Sequence, residues 1–407
     1  MSPVRFVHTA DLHLDRPLGG MSEANRQVAD AVLDATFDTY QRIIDFTIEQ
    51  QADALLIAGD VYDGADRSLR AQLRFIEGLE QLDRAGIRSF ICHGADDPLD
   101  DWTSRLRYPP LAHRFSPEVQ AAPLGNSAEV IGVSQPHPDS FDDVIRSFSD
   151  IRGDGVTIGM LHCDATSSTA SFLDSGLDYW ALGHSHHRKV VQEHHPAIVY
   201  PGTPQALQPE QTGPHGVYLV EIDETGDVSL QFQPLDAIRR ATIQLDVADG
   251  DTESDVFEAL SDRVTRQLDE AAGRPVICQI AFNGAGLHHA ALFDRRGIAA
   301  IVARLNDQFG ERRAFAWCNR ATIRIGAPVD RDRRGEAGDV VAALMRLSDE
   351  LQRQPRARDR IRAELAPLLD DERFAPYRAV AGITDEELVE TVADAEARVL
   401  AALGARP

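Results

Sequence analysis

Apolar positions over the first 220 residues fall into two rhythms. Short aliphatic and β-branched runs near 4–10, 54–58, 87–92, 156–161, 178–182 and 197–200 read as strands. Between them Phe37, Tyr40, Ile44 and Ile48, and then Leu69, Leu73, Ile76, Leu79 and Leu82, recur at three- and four-residue steps, the spacing of amphipathic helices. Strands alternating with helices predict an α/β domain around a buried sheet. Each strand except the last is followed by Asp or His: Asp11 and His13, Asp60 and Asp63, Asp96 and Asp97, His162, then His184 and His186. Ligands in open α/β sheets gather at the carboxyl ends of strands, so these distant segments are predicted to face one crevice.

From about 236 the texture changes. An amphipathic helix (Val256, Leu260, Val264, Leu268) with strands at 275–282 and 321–325 predicts a small α+β unit. The Asp-, Arg- and Gly-rich stretch 329–339 reads as a linker, and Val340–Leu351 and Glu386–Leu403 read as helices, with Leu388, Val392, Ala395, Val399 and Leu403 on one face. The expected division is 1–235, 236–328 and 329–407.

Composition changes this picture little. A chain of 407 residues exceeds what one core usually holds, in keeping with a large domain and smaller units. With 43% hydrophobic and 26% charged residues it is neither disordered nor fibrous in type. No apolar run approaches the ~20 residues of a membrane span, and Val4-Arg5-Phe6-Val7 follows the start without a signal-peptide pattern, so a cytoplasmic protein without membrane contact is expected. Cys92, Cys163, Cys278 and Cys318 are scattered with no CxxC pair, which excludes a thiolate zinc motif and predicts buried free thiols.

The net charge of −24 counts against a nucleic-acid partner, because affinity for phosphate backbones comes from clustered Lys and Arg. All but one of the 41 basic residues are arginine, the exception being Lys189, and this bias fits a GC-rich or salt-adapted proteome as well as any functional field. Bound divalent cations would in any case attract DNA locally, so charge does not decide the substrate.

The chemistry lies in the strand-end motifs. Alternation along an extended segment would put Asp11 and His13 on one side, where carboxylate and imidazole bind one cation. Gly59 at a strand end permits a tight turn presenting Asp60, a carboxylate able to bridge two metals. His162, His184 and His186 add imidazoles, and a nitrogen and oxygen set without sulfur suits a hydrolytic binuclear site for Mn, Fe, Zn or Ni. The order Asp-x-His, Gly-Asp-x-x-Asp, an acidic turn Gly94-Ala95-Asp96-Asp97, His, then Gly-His-x-His, each after a predicted strand, marks a metal site. His8, His113, His137, His194, His195, His288 and His289 lack that context and read as surface or core histidines, and His187 would face away. Asp15 and Asp63 read equally as supports for the ligands or as turn formers.

His8-Thr9-Ala10-Asp11-Leu12-His13-Leu14-Asp15, Gly59-Asp60-Val61-Tyr62-Asp63, Asp178-Tyr179-Trp180-Ala181-Leu182-Gly183-His184 and Tyr200-Pro201-Gly202-Thr203-Pro204-Gln205 together resemble the SbcD-type nucleases, in their YhaO-like branch, within the calcineurin-like metallophosphoesterases. The resemblance covers about 1–222. It implies a sandwich of two β-sheets flanked by helices, two Mn ions, and exonuclease or endonuclease action on DNA ends beside an SMC-like ATPase partner. A homodimer is a further expectation. By motif, Asp11, His13, Asp60 and His186 would hold one metal, and Asp60, His162 and His184 the other.

The third motif departs. The family writes Gly-Asn-His-Asp, whose Asn binds the second metal and whose His serves the leaving oxygen or the scissile phosphate, where this chain has Gly94-Ala95-Asp96-Asp97. Asp96 and Asp97 stand at the catalytic positions. Ala95 does neither task, and Asp96 beside two cations stays ionised, a poor proton donor but a candidate replacement ligand. Loss of positioned acid catalysis removes about 10²–10⁴ in rate, so a metal-binding domain with feeble DNA cleavage is expected. After Gln205 the family continues Gly-Arg, and Ala206-Leu207 here puts DNA contact by that loop in question. A catalytically impaired scaffold for the ATPase, and a phosphoesterase for another substrate, remain competing readings.

Overall fold

The computed structural model describes residues 3–19, 21, 24–63, 68–97, 99, 107–134, 141–153, 155–164, 169–248, 251–284, 295–324, 340–354, 359–361, 363, 388, 389, 392, 395, 396 and 399. Contacts divide the chain into two compact units, Met1–Ala241 with Gln267–Ile277 and Phe309–Asn319, and Thr242–Arg266 with Cys278–Gln308 and Arg320–Pro407.

The first unit runs β1 (Val4–Thr9), α1 (Arg26–Glu49), β2 (Ala54–Ala58), α2 (Leu69–Arg84), β3 (Arg88–Cys92), β4 (Ala112–Arg114), β5 (Gln120–Leu124), β6 (Ala128–Gly132), α3 (Phe141–Ile151), β7 (Val156–His162), α4 (Thr169–Leu173), β8 (Tyr179–Gly183), β9 (Lys189–Gln192), β10 (Ala197–Tyr200), β11 (Gly216–Ile222) and β12 (Val228–Pro234). They form two six-stranded sheets, β12-β11-β1-β2-β3-β4 and β5-β6-β7-β8-β10-β9. The strands β1 to β4 are mutually parallel, and so are β6, β7, β8 and β10.

Why these runs form central strands follows from their two buried faces. In β2, Ala54, Leu56 and Ala58 turn into the core between the sheets with Phe6, Phe90, Met160 and Tyr179. Leu55 and Ile57 turn the other way, onto Tyr40 and Ile44 of α1 and Phe75 and Leu79 of α2. Trp180 and Leu182 of β8 likewise meet Ile145 and Phe148 of α3 and Phe172 of α4. Strands buried on both sides read as unbroken apolar runs, and each fully buried Leu, Ile or Phe contributes about 1.5–3 kcal/mol. The helices start on side-chain caps, Asn25 Oδ1 accepting from Val28 N at 2.9 Å and Ser68 Oγ from Ala71 N at 3.1 Å.

Two departures from the sequence reading have physical causes. In α2 the buried stripe is Ala71, Phe75, Gly78, Leu79 and Leu82, while Leu69 and Leu73 are 63% and 50% exposed. At 100° per residue both lie well round the helix from Phe75, so apolar spacing alone misplaces the inner face. Of the strands absent from the sequence reading, β4, β5, β9 and β12 are sheet edges, where residues are mostly half-buried or exposed and Pro123 is tolerated, whereas β6 and β11 are inner, largely buried strands that the reading passed over.

Downstream, β13 (Arg239–Val247), β14 (Val276–Gly284) and β15 (Ala316–Arg324) form a three-stranded sheet in that order, with helices α5 (Glu253–Glu270), α6 (Arg295–Phe309) and α7 (Val340–Arg353). Val256, Leu260 and Val264 are the buried stripe of α5. The 329–339 segment, Leu403, His137, His288 and His289 lie outside the described residues. Within Glu386–Leu403, Leu388 is buried and Val399 exposed, both helical. All four cysteines are buried thiols outside any disulfide. Among the described residues no helix is long and apolar enough to cross a membrane.

Candidate metal centre

The loops following β1 and β2 run side by side. Asp11 N donates to Gly59 O, His13 N to Asp60 O and Leu14 N to Val61 O, each at 3.0 Å. The segment after β1 is not extended, contrary to the expectation from alternation. Asp11, His13 and Asp60 have φ of 51°, 40° and 47°, and His184 has 96°. Left-handed backbone at a non-glycine residue costs on the order of 1–3 kcal/mol and clusters where function over-determines it. A coil of left-handed residues, rather than pleat alternation, turns Asp11 and His13 to the same side.

Five chain segments meet there. His13 Nε2 and His186 Nε2 are 3.2 Å apart, and His162 Nε2 is 3.2 Å from Asp60 Oδ2. His162 Nδ1 donates to Ala58 O at 3.0 Å, which leaves Nε2 as the atom free to bind a cation. Candidate ligand atoms lie within 4.8 Å of one another in three sets: Asp11, His13 and His186; Asp11, Asp60 and His162; His13, Asp60 and Asp96. Asp11, His13 and Asp60 each join two of them. His184 joins none; it is exposed, its amide donates to Asp11 Oδ1 at 3.0 Å, and its ring lies 5.5 Å from that of His162.

Glycine is required where the loops close on these side chains. A Cβ on Gly59 would stand 2.1 Å from His162 Nδ1, and one on Gly94 would stand 2.1 Å from Asp60 Oδ1. The first also has φ of 88°.

The electrostatics favour a cation. Burial, relieved in part by His162 and reinforced by Asp60, raises the Asp11 carboxyl to about 7. Burial opposes the charged form of His162, but the Asp60 carboxylate and then Asp11 outweigh it and raise the imidazole to about 9. Burial lowers His13 to about 3 and His186 to about 4, the second helped by Arg16, so both are neutral imidazoles, the form that ligates metal. Burial and then the charges of Asp60 and Asp63 raise Asp96. His13 Nδ1, in a fully buried side chain, has no hydrogen-bond partner. Carboxylates crowded with neutral imidazoles and an orphaned ring nitrogen fit divalent cations of the hard or borderline kind.

The third motif divides its two aspartates. Asp96 is half-exposed, its amide donates to Asp60 Oδ1 at 3.1 Å, and its Oδ2 lies 3.9 Å from His13 Nδ1. Asp97 is buried and accepts from Gly94 N at 2.7 Å and Val61 N at 2.8 Å, with His93 Nδ1 3.0 Å from Oδ2. Ala95 is exposed. Sequence reading passed over His93, whose only signal was its place directly before the motif. It also passed over Arg16, 3.2 Å from Asp63 beside the crevice, and the Ala58 carbonyl, which no side-chain pattern reveals. Asp15 accepts from Ser68 Oγ, its amide donates to Thr36 Oγ1, and it belongs to none of the three sets. His8 is buried with Nδ1 2.9 Å from Tyr179 Oη, away from these sets.

The loop after β10 packs inward. Gln205 Oε1 accepts from Ala237 N at 2.9 Å, and Leu207 is buried with Leu18, Val28 and Phe315. Arg240, itself 1% exposed, donates from Nη2 to Gly19 O at 2.7 Å and from Nε to Ala206 O at 3.4 Å. Ala206 and Leu207 are core residues here.

The calcineurin-like phosphoesterase profile matches residues 4–188, and that of the middle domain of metallophosphoesterase YhaO matches residues 241–326. The chain is 29% identical over 336 residues to the uncharacterized metallophosphoesterase YhaO of Bacillus subtilis, covering 78% of this chain and 81% of that one. It is 24% identical over 292 residues to the DNA double-strand break repair protein Mre11 of Aeropyrum pernix, covering 65% and 68%. To a component of the nuclease SbcCD of Bacillus subtilis it is 22% identical over 260 residues, covering 52% and 64%. The chain thus carries a calcineurin-like metallophosphoesterase domain followed by a YhaO-type middle domain.

Proposed function

We propose that this chain is a divalent-metal-dependent phosphodiesterase acting on DNA ends, with turnover lowered by its third motif. The observation that supports it most is the meeting of Asp11, His13, Asp60, His162 and His186 from separate strand ends in overlapping sets, Asp11 with His13 and His186 and Asp11 with Asp60 and His162, whose candidate ligand atoms lie within 4.8 Å inside each set. In this reading Asp11, His13, Asp60 and His186 hold one cation and Asp60 with His162 hold the other, where His184, outside the three sets, is a ligand by resemblance alone, and manganese is the expected metal on the same ground. Two cations bound there would neutralise charge on the phosphoryl oxygens and activate a water. The chain's own groups fix the geometry: Ala58 O sets the His162 tautomer, Asp97 holds the loops that carry Asp60 and Gly94, and Arg16 adds positive charge beside the crevice. The DNA substrate and an SMC-like ATPase partner are carried over from the relatives named as repair proteins and as part of a nuclease.

One observation favours a second reading, a scaffold that binds metal and partner without cleaving. Ala95 offers no ligand atom, and Asp96 offers a carboxylate where the resemblance expects an imidazole acid. Incubation with Mn²⁺ and either end-labelled duplex DNA or bis-p-nitrophenyl phosphate separates the readings. Shortening of DNA supports the nuclease. No turnover of either substrate supports the scaffold, and hydrolysis of the small ester alone points to a different phosphoester and contradicts the DNA assignment.

A further inference from the structure

The carboxylate that replaces the third-motif histidine has a place of its own. We propose that Asp96 is a positioning residue for His13: its carboxylate accepts the Nδ1 proton of the imidazole and thereby presents Nε2 to the cation. This rests on the metal-centre reading above and deepens it.

The two nitrogens of His13 have different surroundings. Nε2 faces His186 Nε2 at 3.2 Å, the separation of two imidazoles converging on one ion. Nδ1 is buried without a hydrogen bond, and the carboxylate facing it is Asp96, Oδ2 at 3.9 Å. Asp96 shares a ligand set with His13 and Asp60 but none with Asp11 or His186. A carboxylate that joined the ion between His13 and His186 would belong with those two, so Asp96 is on the other edge of the ring. Its backbone amide is fastened to Asp60 Oδ1 at 3.1 Å while its side chain is 48% exposed, so a rotamer adjustment of about 1 Å brings the carboxylate into hydrogen-bond range. A buried ring N–H left unpaired costs about 1–3 kcal/mol, which the contact removes. Carboxylates that hold a ligating histidine in this way fix its tautomer and raise its basicity.

The consequence is a site that has exchanged a proton donor for firmer metal binding. Mn²⁺ titration of the full chain, followed by calorimetry or by the EPR signal of free Mn²⁺, tests it. Asp96→Ala is expected to weaken binding about 10–100-fold. Asp96→Asn, whose amide oxygen still accepts the Nδ1 proton, is expected to recover most of that loss, a rescue that mere packing would not produce. His186→Ala, which leaves Asp96 in place, is expected to abolish the same binding step. Asp96→Ala with wild-type affinity beside a defective His186→Ala overturns the positioning role and leaves the metal centre standing. Asp96→Asn as weak as Asp96→Ala also overturns it, since charge and not the accepted proton would then matter. Unchanged binding in His186→Ala sinks the metal-centre reading itself.

Discussion

The carboxylate of Asp97 accepts the backbone amide of Val61 at 2.8 Å, and so ties the loop after β3 to the loop after β2 directly beside Asp60. Gly94 N at 2.7 Å and His93 Nδ1 at 3.0 Å complete its shell, with every partner buried. A carboxylate so enclosed has no face left for substrate, which makes Asp97 a buttress of the crevice.

Asp97→Ala would strand two buried amides and an imidazole. Each unsatisfied buried donor costs about 1–3 kcal/mol, so a loss of about 2–5 kcal/mol is expected in urea unfolding of the metal-free protein. Asp97→Asn keeps one acceptor and should lose less. An unfolding midpoint unchanged in Asp97→Ala would contradict the buttress.

Gly94→Ala places a methyl 2.1 Å from Asp60 Oδ1 and 2.8 Å from His162 Nε2. Asp60 cannot withdraw without leaving both of its ligand sets. A Mn²⁺ affinity at least about tenfold weaker, with wild-type circular dichroism, is the expected result, given the cost of disturbing a ligand's supports. Wild-type affinity would show that the loops have more slack than the contacts indicate.

Metal loading should release protons. His162, raised to about 9, carries a proton at neutral pH in the metal-free protein, and Asp11, raised to about 7, is partly protonated. Both must be deprotonated to ligate, so affinity should climb as pH rises from about 6 and level off above about 9. Calorimetry at pH 7 in two buffers of different ionisation enthalpy should report roughly one to two protons released per fully loaded chain. Equal heats in both buffers would count against His162 as a ligand.

Much of the fold was legible because the central strands are buried on both faces. Ala54-Leu55-Leu56-Ile57-Ala58 is apolar throughout for that reason, and so is Tyr179-Trp180-Ala181-Leu182. Edge strands such as Lys189–Gln192 face water on their outer sides, and their pattern fades into loop. At the site, residue types and order announced which side chains would gather, since few chains place Asp and His after strand upon strand. The backbone that gathers them was not legible: nothing in Asp11-Leu12-His13 announces φ of 51° and 40°. Nor could spacing separate Asp96 from Asp97, adjacent in sequence, one half-exposed at the rim and one sealed beneath it.

Restoring the departed motif should divide activity from affinity. With Ala95→Asn and Asp96→His together, Mn-dependent cleavage of duplex DNA is expected to rise, by up to about 10²–10⁴-fold if acid catalysis is what is lacking. If Asp96 also supports His13, that gain should require more Mn²⁺ than the wild-type chain needs for saturation. A double variant no faster than wild type at saturating Mn²⁺ would place the limit on cleavage outside the third motif.

In the proposed centre, strand-end aspartates and histidines would hold a pair of cations that both draw on Asp60. Low-temperature EPR of the chain titrated with Mn²⁺ tests it most directly. Two ions per chain with an exchange-coupled spectrum, lost in Asp60→Ala, is the result expected. Isolated single-ion signals, or binding indifferent to Asp60, would contradict the account.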